Sequence, residues 1–245
     1  MNVLALETAT SVCGAAIVEN GYVVVEHFIE ARQIHSQRIM GLIDEVFHAA
    51  QCEVRDIDGI AVSIGPGSFT GLRIGLSTAK GLSFALGKPI AAVHTLEAIA
   101  LNVVRATHVP DGTTIFSLID ARRDEVYAAA YRVTENNLHE TIPPCAVTVA
   151  ALFTMMGSEQ QMYLAGEGAE KIYQYITMTH PDQVQRFIVP PRNRRLCSAA
   201  AVGILGEQQL LRGSNADVAS LEPLYVKEFY TTMTHNRWYN ANGMV

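Results

Sequence analysis

The sequence predicts an α/β protein of two lobes, each a mixed β-sheet flanked by helices, with the second lobe reduced. Three observations carry this. Short apolar runs alternate with stretches of helical period. The first three runs follow one another through turn signals, whereas later ones are separated by helices. The alternation then breaks at His108–Gly112 and restarts in weaker form. With 245 residues and 49% hydrophobic content the chain has material for a core in one large domain or two small ones.

The elements follow in order. Val3 to Glu7 is a short apolar run ending in a carboxylate, and Thr8-Ala9-Thr10 is a polar turn. Ser11 to Val18, rich in small and β-branched residues, reads as the second strand. Asn20-Gly21 signals a hairpin because both positions tolerate positive φ, so Tyr22 to Ile29 is the third strand. Residues 34 to 51 switch to helical period, with Ile39, Leu42, Ile43 and Val46 at i, i+3, i+4 and i+7. Ile57 to Ile64 returns to a strand, broken by Gly65-Pro66-Gly67-Ser68. A second helix runs from about Thr70 to Leu86 and stops at Gly87-Lys88-Pro89. Pro89 to Val93 is a fifth strand and Thr95 to about Arg105 a third helix. Two hairpin connections followed by βαβ crossovers give a mixed five-stranded sheet. This order is the one used by actin-like and ribonuclease-H-like domains, and order alone says nothing about chemistry.

The second block reads as a trimmed copy. Thr113 to Ile119 and Val126 to Val133 are strands joined by the charged turn Asp120 to Glu125, and Cys145 to Val149 is a third. A short helix near 150–156, a strand Gln161 to Ala165, a helix near 168–178, Phe187 to Val189 and a helix Cys197 to Leu211 complete it. The expected division is residues 1–107 for the N-terminal lobe, 108–230 for the C-terminal lobe and 231–245 for a loose polar tail.

Composition narrows the function classes. Net charge is −6 and the pI about 5.7, the opposite of the basic surplus that autonomous nucleic-acid binders use to neutralise phosphate. The basic clusters Arg122-Arg123 and Arg192, Arg194, Arg195 read as solvated loop charge. Cys13, Cys52, Cys145 and Cys197 are scattered without a CxxC pair, so they read as reduced thiols. The start MNVLALETAT lacks a basic n-region, and no window approaches the ~18 apolar residues of a membrane span. The expected location is the cytoplasm.

The segments Ala5-Leu6-Glu7-Thr8-Ala9-Thr10, Ile64-Gly65-Pro66-Gly67-Ser68-Phe69-Thr70-Gly71-Leu72-Arg73-Ile74-Gly75 and Asp120-Ala121-Arg122 resemble the TsaB family, once called YeaZ. His35-Ser36, Ala165-Gly166-Glu167-Gly168 and Pro223-Leu224-Tyr225 also match, so the resemblance covers residues 1 to about 227. The resemblance implies two actin-like lobes and a scaffold subunit that binds and activates the catalytic paralogue TsaD. Together with the ATPase TsaE, that complex transfers threonylcarbamoyl to the adenosine beside the anticodon of tRNA. It further implies that this chain meets tRNA only through the complex, uses no cofactor or metal and catalyses nothing itself.

The related catalytic subunit carries His-x-x-x-His at the start of the third helix; by that alignment Thr95 and Ile99 stand at those positions here, and His94 is alone. Glu7, Thr8, Ser11, Gly65 and Gly67 are candidates for a vestigial nucleotide cleft, the Gly-rich turn preceding a helix N-terminus as phosphate sites do. No Gly-Lys-Ser/Thr follows, so it is not a P-loop, and a tight turn capped by Ser68 or Thr70 is the plainer reading. On the first helix Met40 and Phe47 widen the apolar arc beyond the ~100° of a surface helix. On the second, Arg73, Ser77 and Lys80 form one narrow polar stripe, and Gly71, Gly75 and Ala79 repeat at i+4, which admits another backbone. Either the second lobe or a loop covers this surface, or a partner's helices do, and the resemblance implies the partner. The expected partner-binding residues are Ile39, Met40, Ile43, Phe47, Gly71, Ile74, Gly75, Thr78 and Leu82. A homodimer is expected for the isolated chain. The rival readings are an actin-like ATPase or small-molecule kinase acting alone, and a metallopeptidase.

Overall fold

Asn20 and Gly21 turn the chain with φ of 51° and 80°, the paired positive values that a two-residue hairpin demands. They fix the register of the meander β1 (Asn2–Glu7), β2 (Val12–Glu19) and β3 (Tyr22–Glu30) in this computed structural model, which describes residues 1–31, 34–135, 137–157 and 161–227. The amphipathic stretch that follows forms α1 (His35–Ala50). Then come β4 (Gly59–Gly65), α2 (Phe69–Leu86), β5 (Ile90–His94) and α3 (Thr95–Ala106). The first sheet runs β3-β2-β1-β4-β5, antiparallel through the meander and parallel for β1, β4 and β5.

The second lobe holds β6 (Thr114–Asp120), β7 (Glu125–Thr134), β8 (Asn137–Thr148), α4 (Val149–Met155), β9 (Met162–Ala165), α5 (Ala169–Thr179) and β10 (Phe187–Ile188). Its sheet runs β10-β9-β6-β7-β8. Counted from the first strand of each lobe, both sheets read third, second, first, fourth, fifth, so one plan is used twice. The second copy is reduced in its crossover helices, with 7 and 11 residues in α4 and α5 against 16 and 18 in α1 and α2. The short α6 (Arg192–Arg195) and α7 (Ala199–Leu211) close the chain's regular structure.

Two differences from the sequence reading stand out. The third strand of the second lobe spans Asn137–Thr148, not Cys145–Val149. It lies at the sheet edge, paired with β7 alone, where register shifts accommodate Pro143 and Pro144 and where polar residues meet water. The second concerns α7, which the sequence reading assigned to the second lobe. It packs on β1, β2, β4 and β5 of the first sheet, while α3 lies against β6 and β7 of the second. The lobes therefore exchange their last helices. The exchange is close: a Cβ on Gly203 would lie 2.5 Å from Val18 Cγ2, and one on Gly206 would lie 2.3 Å from Ala61 Cβ. α3, α7 and the facing strands share one core through both lobes, whereas α1 and α2 cover the opposite face of the first sheet. The expected tail, residues 231–245, lies outside the described residues.

Candidate functional site

Several turns converge where the two sheets face each other. Glu7 ends β1 and is fully buried. Its Oε1 accepts from Ala9 N at 2.9 Å, Thr10 N at 3.0 Å and Thr10 Oγ1 at 3.1 Å, while Oε2 accepts from Cys197 Sγ at 3.2 Å. Burial pushes the Glu7 carboxyl above the ordinary carboxylate range, and its hydrogen bonds, including those from Cys197 and Thr10, offset part of that. The carboxyl thus shapes the β1–β2 turn. That turn in turn holds the Gly-rich loop: Ser68 N donates to Ala9 O at 2.7 Å and Thr8 Oγ1 donates to Gly71 O at 2.8 Å. Ser68 Oγ accepts from Gly71 N at 3.2 Å and caps α2. Gly67 is required because a Cβ there would lie 2.3 Å from Ala9 O.

Above these turns opens an interlobe cleft of about 920 Å³. Its first-lobe wall includes Ser11, His35, Ser36 and Pro66 to Gly71; the second lobe contributes Asp120, Arg122, Tyr127 and Glu167. Leu224 to Lys227 lie across it. The segments that carry the family resemblance therefore converge on one place. Charges here are largely paired. Lys171 Nζ donates to Asp120 Oδ1 at 2.6 Å, Lys227 Nζ to Glu125 Oε2 at 2.6 Å, and Ser11 N to Glu167 Oε1 at 2.5 Å. Arg122 projects from a hairpin turn with φ of 69° and stays exposed.

Of the expected cleft residues, Ser11 and Gly67 line it. Glu7 and Thr8 are corrected: both lie beneath the surface at 0% exposure, with their polar atoms committed to the turns. Gly65 is likewise buried, its φ of 123° and the nearby Leu224 carbonyl making it a packing glycine. At the position compared with the catalytic subunit's ligand pair, Thr95 Oγ1 accepts from Gly65 N at 3.1 Å and Ile99 is core. His94 leads into α3 as its N-cap residue.

The expected partner face divides in two. Ile39, Ile43 and Phe47 are buried in the chain's own core, Phe47 at 6% exposure. Phe47 is thus corrected from an outward contact to an anchor of α1. Gly71 does admit a close backbone, but it is the chain's own, since a Cβ there would lie 2.0 Å from Thr8 O; Gly75 admits the Thr8 side chain, its Cβ falling 2.2 Å from Thr8 Oγ1. What remains outward is Met40 at 50% exposure, with Ile74, Thr78 and Leu82 half-buried beside it along α2. Sequence reasoning missed Phe84, which is 91% exposed. Its signal was available: Phe84 falls at i+11, i+7 and i+4 from Arg73, Ser77 and Lys80, an aromatic ring in line with the polar stripe.

Comparison with known proteins accords with this arrangement. The family model described as TsaD, tRNA N6-adenosine threonylcarbamoyltransferase, matches residues 29–227. The tRNA threonylcarbamoyladenosine biosynthesis protein TsaB of Escherichia coli (strain K12) is 34% identical over 167 residues, covering 68% of this chain and 69% of that protein. Its namesake in Bacillus subtilis (strain 168) is 32% identical over 164 residues, covering 67% and 69%. The solved structure of YeaZ from Pseudomonas aeruginosa superposes with a TM-score of 0.74 at 26% identity, over 91% of this chain and 99% of that one. Two actin-like lobes, the Gly-rich loop seated under the cleft and these matches lead to one assignment: the chain belongs to the TsaB (YeaZ) family of tRNA threonylcarbamoyladenosine biosynthesis proteins.

Proposed function

We propose that this chain serves tRNA threonylcarbamoyladenosine biosynthesis as a non-catalytic subunit in the cytoplasm. In this reading it binds the catalytic paralogue TsaD through the outward face of α1 and α2, acts in company with the ATPase TsaE, and meets tRNA only through that complex. The observation that carries the reading is the apolar surface left on these two helices. Met40 and Phe84 are exposed, Phe84 in line with the polar stripe of α2, and Ile74, Leu82 and Leu86 are partly buried on the flank of that helix. A side chain such as Phe84 has about 1.5–3 kcal/mol to gain by full burial. The same face offers the isolated chain a route to a homodimer.

Two further features support a scaffold rather than an independent enzyme. The acidic residue best placed by sequence for nucleotide chemistry, Glu7, is occupied in holding a turn. Thr95 and Ile99 are likewise occupied in packing. The rival ATPase or kinase reading keeps one argument, the 920 Å³ cleft with the N-terminal turn of α2 on its wall. Titration of Phe84→Glu against TsaD separates the two. The scaffold reading expects at least about tenfold weaker association, equivalent to 1.4 kcal/mol. Unchanged association, or ATP turnover by the pure isolated chain, would sink it.

A further inference from the structure

The lobes are joined differently at back and front. At the back, α3 and α7 share a continuous core with both sheets. At the front lies the cleft, and after α7 the chain itself returns to cross it. Leu224 N donates to Ile64 O at 2.7 Å, on the first lobe. The Tyr225 ring lies 5.4 Å from that of Phe69, and its hydroxyl accepts from Arg73 Nε at 3.2 Å. Two residues later Lys227 is on the second lobe. Its Nζ donates to Ala121 O at 3.2 Å and Glu125 Oε2 at 2.6 Å, and lies 5.5 Å from the Tyr127 ring.

Tyr225 and Lys227 are joined through Val226 alone. Two residues of extended chain span at most about 7 Å, so neither lobe can swing away without releasing an anchor. Two further contacts reinforce the closure: the Ser11 backbone N–H donates to Glu167 Oε1 at 2.5 Å, and Arg192 forms an ion pair with Glu30. We propose that residues 224–227 form a strap that fixes the opening of the interlobe cleft, with Lys227 as its pin. The strap opposes the joint formed by α3 and α7, so the two lobes are held together at both ends of their interface.

The strap is tested on the full-length chain by amide hydrogen exchange. The Ser11 amide is the natural reporter, because its hydrogen bond crosses the cleft. Two variants act on different parts: Lys227→Ala removes the pin, and a Gly-Gly insertion between Val226 and Lys227 keeps both anchors but lengthens the tether. Both should raise exchange of peptides covering residues 8–12 and 66–72 by at least about threefold, with β1 residues 3–6 and α7 unchanged and Lys227→Arg preserving protection. A cleft as protected with the insertion as without it overturns the strap. So does exchange that rises equally through β1 and α7, which would make the segment a general contributor to stability.

Discussion

Cys197 Sγ donates to Glu7 Oε2 across 3.2 Å, tying the approach to α7 to the end of β1 where neither side chain meets water. Burial raises the Glu7 pKa, so the folded chain keeps that proton to higher pH than the unfolded chain does. The sign follows: the stability linked to this proton is complete below the unfolded pKa and is lost as pH rises through the folded one. Glu7→Gln cannot titrate. Melting temperatures followed from roughly pH 4 to pH 8 should therefore shift in the variant's favour, relative to the parent, as pH rises. Glu97, also raised by burial, acts alike in both proteins and cancels. Parallel curves would mean that Glu7 titrates as an ordinary carboxylate.

Phe47 and Phe84 should respond oppositely to the same change. Phe47 is 6% exposed and Phe84 91%. Phe47→Glu deletes a core ring, a loss of about 3–5 kcal/mol by analogy with Phe→Ala, and adds a buried carboxylate. Chemical denaturation should show a monomer severely destabilised or unfolded. Phe84→Glu should stay within about 0.5 kcal/mol of the parent, leaving partner association as the property that changes.

The glycines of α2 supply a second contrast. Gly75→Ala would set a Cβ 2.2 Å from Thr8 Oγ1, so the Thr8 side chain must shift and its hydrogen bond to Gly71 O is disturbed. Overpacking of this kind costs about 1–3 kcal/mol. Gly81, on the same helix, has no atom within 4 Å of such a Cβ. Gly81→Ala should stabilise by about 0.5–1 kcal/mol. Equal effects at the two sites in urea unfolding would contradict the close fit of α2 on the turn.

Thiol reactivity should divide by burial. Burial pushes Cys13 up to about 11 and Cys197 well above its ordinary range, the Glu7 carboxylate adding to both. Neither should react with a thiol-specific disulfide reagent at neutral pH while the chain is folded. Cys52 and Cys145 are only partly buried and should account for whatever slow labelling occurs. Rapid labelling of all four in the native chain would contradict this packing.

Much of the architecture was legible because its signals are local. Asn20-Gly21 announced a hairpin and adopts its dihedrals. Gly87 ends α2 with φ of 65°, as its place before Lys88-Pro89 suggested. What remained illegible depends on which surface meets which. α7 is apolar around most of its circumference, so its pattern announces burial without saying on which sheet. The small-residue stripe Gly71, Gly75, Ala79 announced a close neighbour, yet could not say that the neighbour is Thr8 of the same chain. Phe47 failed for the same reason: an arc wide enough for a partner is also what a helix needs when sheet and adjacent helix both press on it. At the cleft, Ser11 and Gly67 belong to the first hairpin and the Gly-rich turn, which the sequence singles out, whereas Glu167, Tyr225 and Lys227 come from segments far along the chain.

The exchanged helices bear on how the protein is made. A chain growing on the ribosome completes the strands of its first sheet and α3 by Ala106, but the helix that roofs that sheet begins only at Ala199. The interval of 93 residues (199 − 106) takes roughly 5 to 20 s at 5–20 residues per second. Throughout it, the small apolar side chains of Ala5, Ala16, Ala61 and Ala91 have no cover from α7. The nascent first lobe therefore carries uncovered apolar surface until α7 is made, and a message ending ahead of Ala199 leaves uncovered the lobe that was translated first.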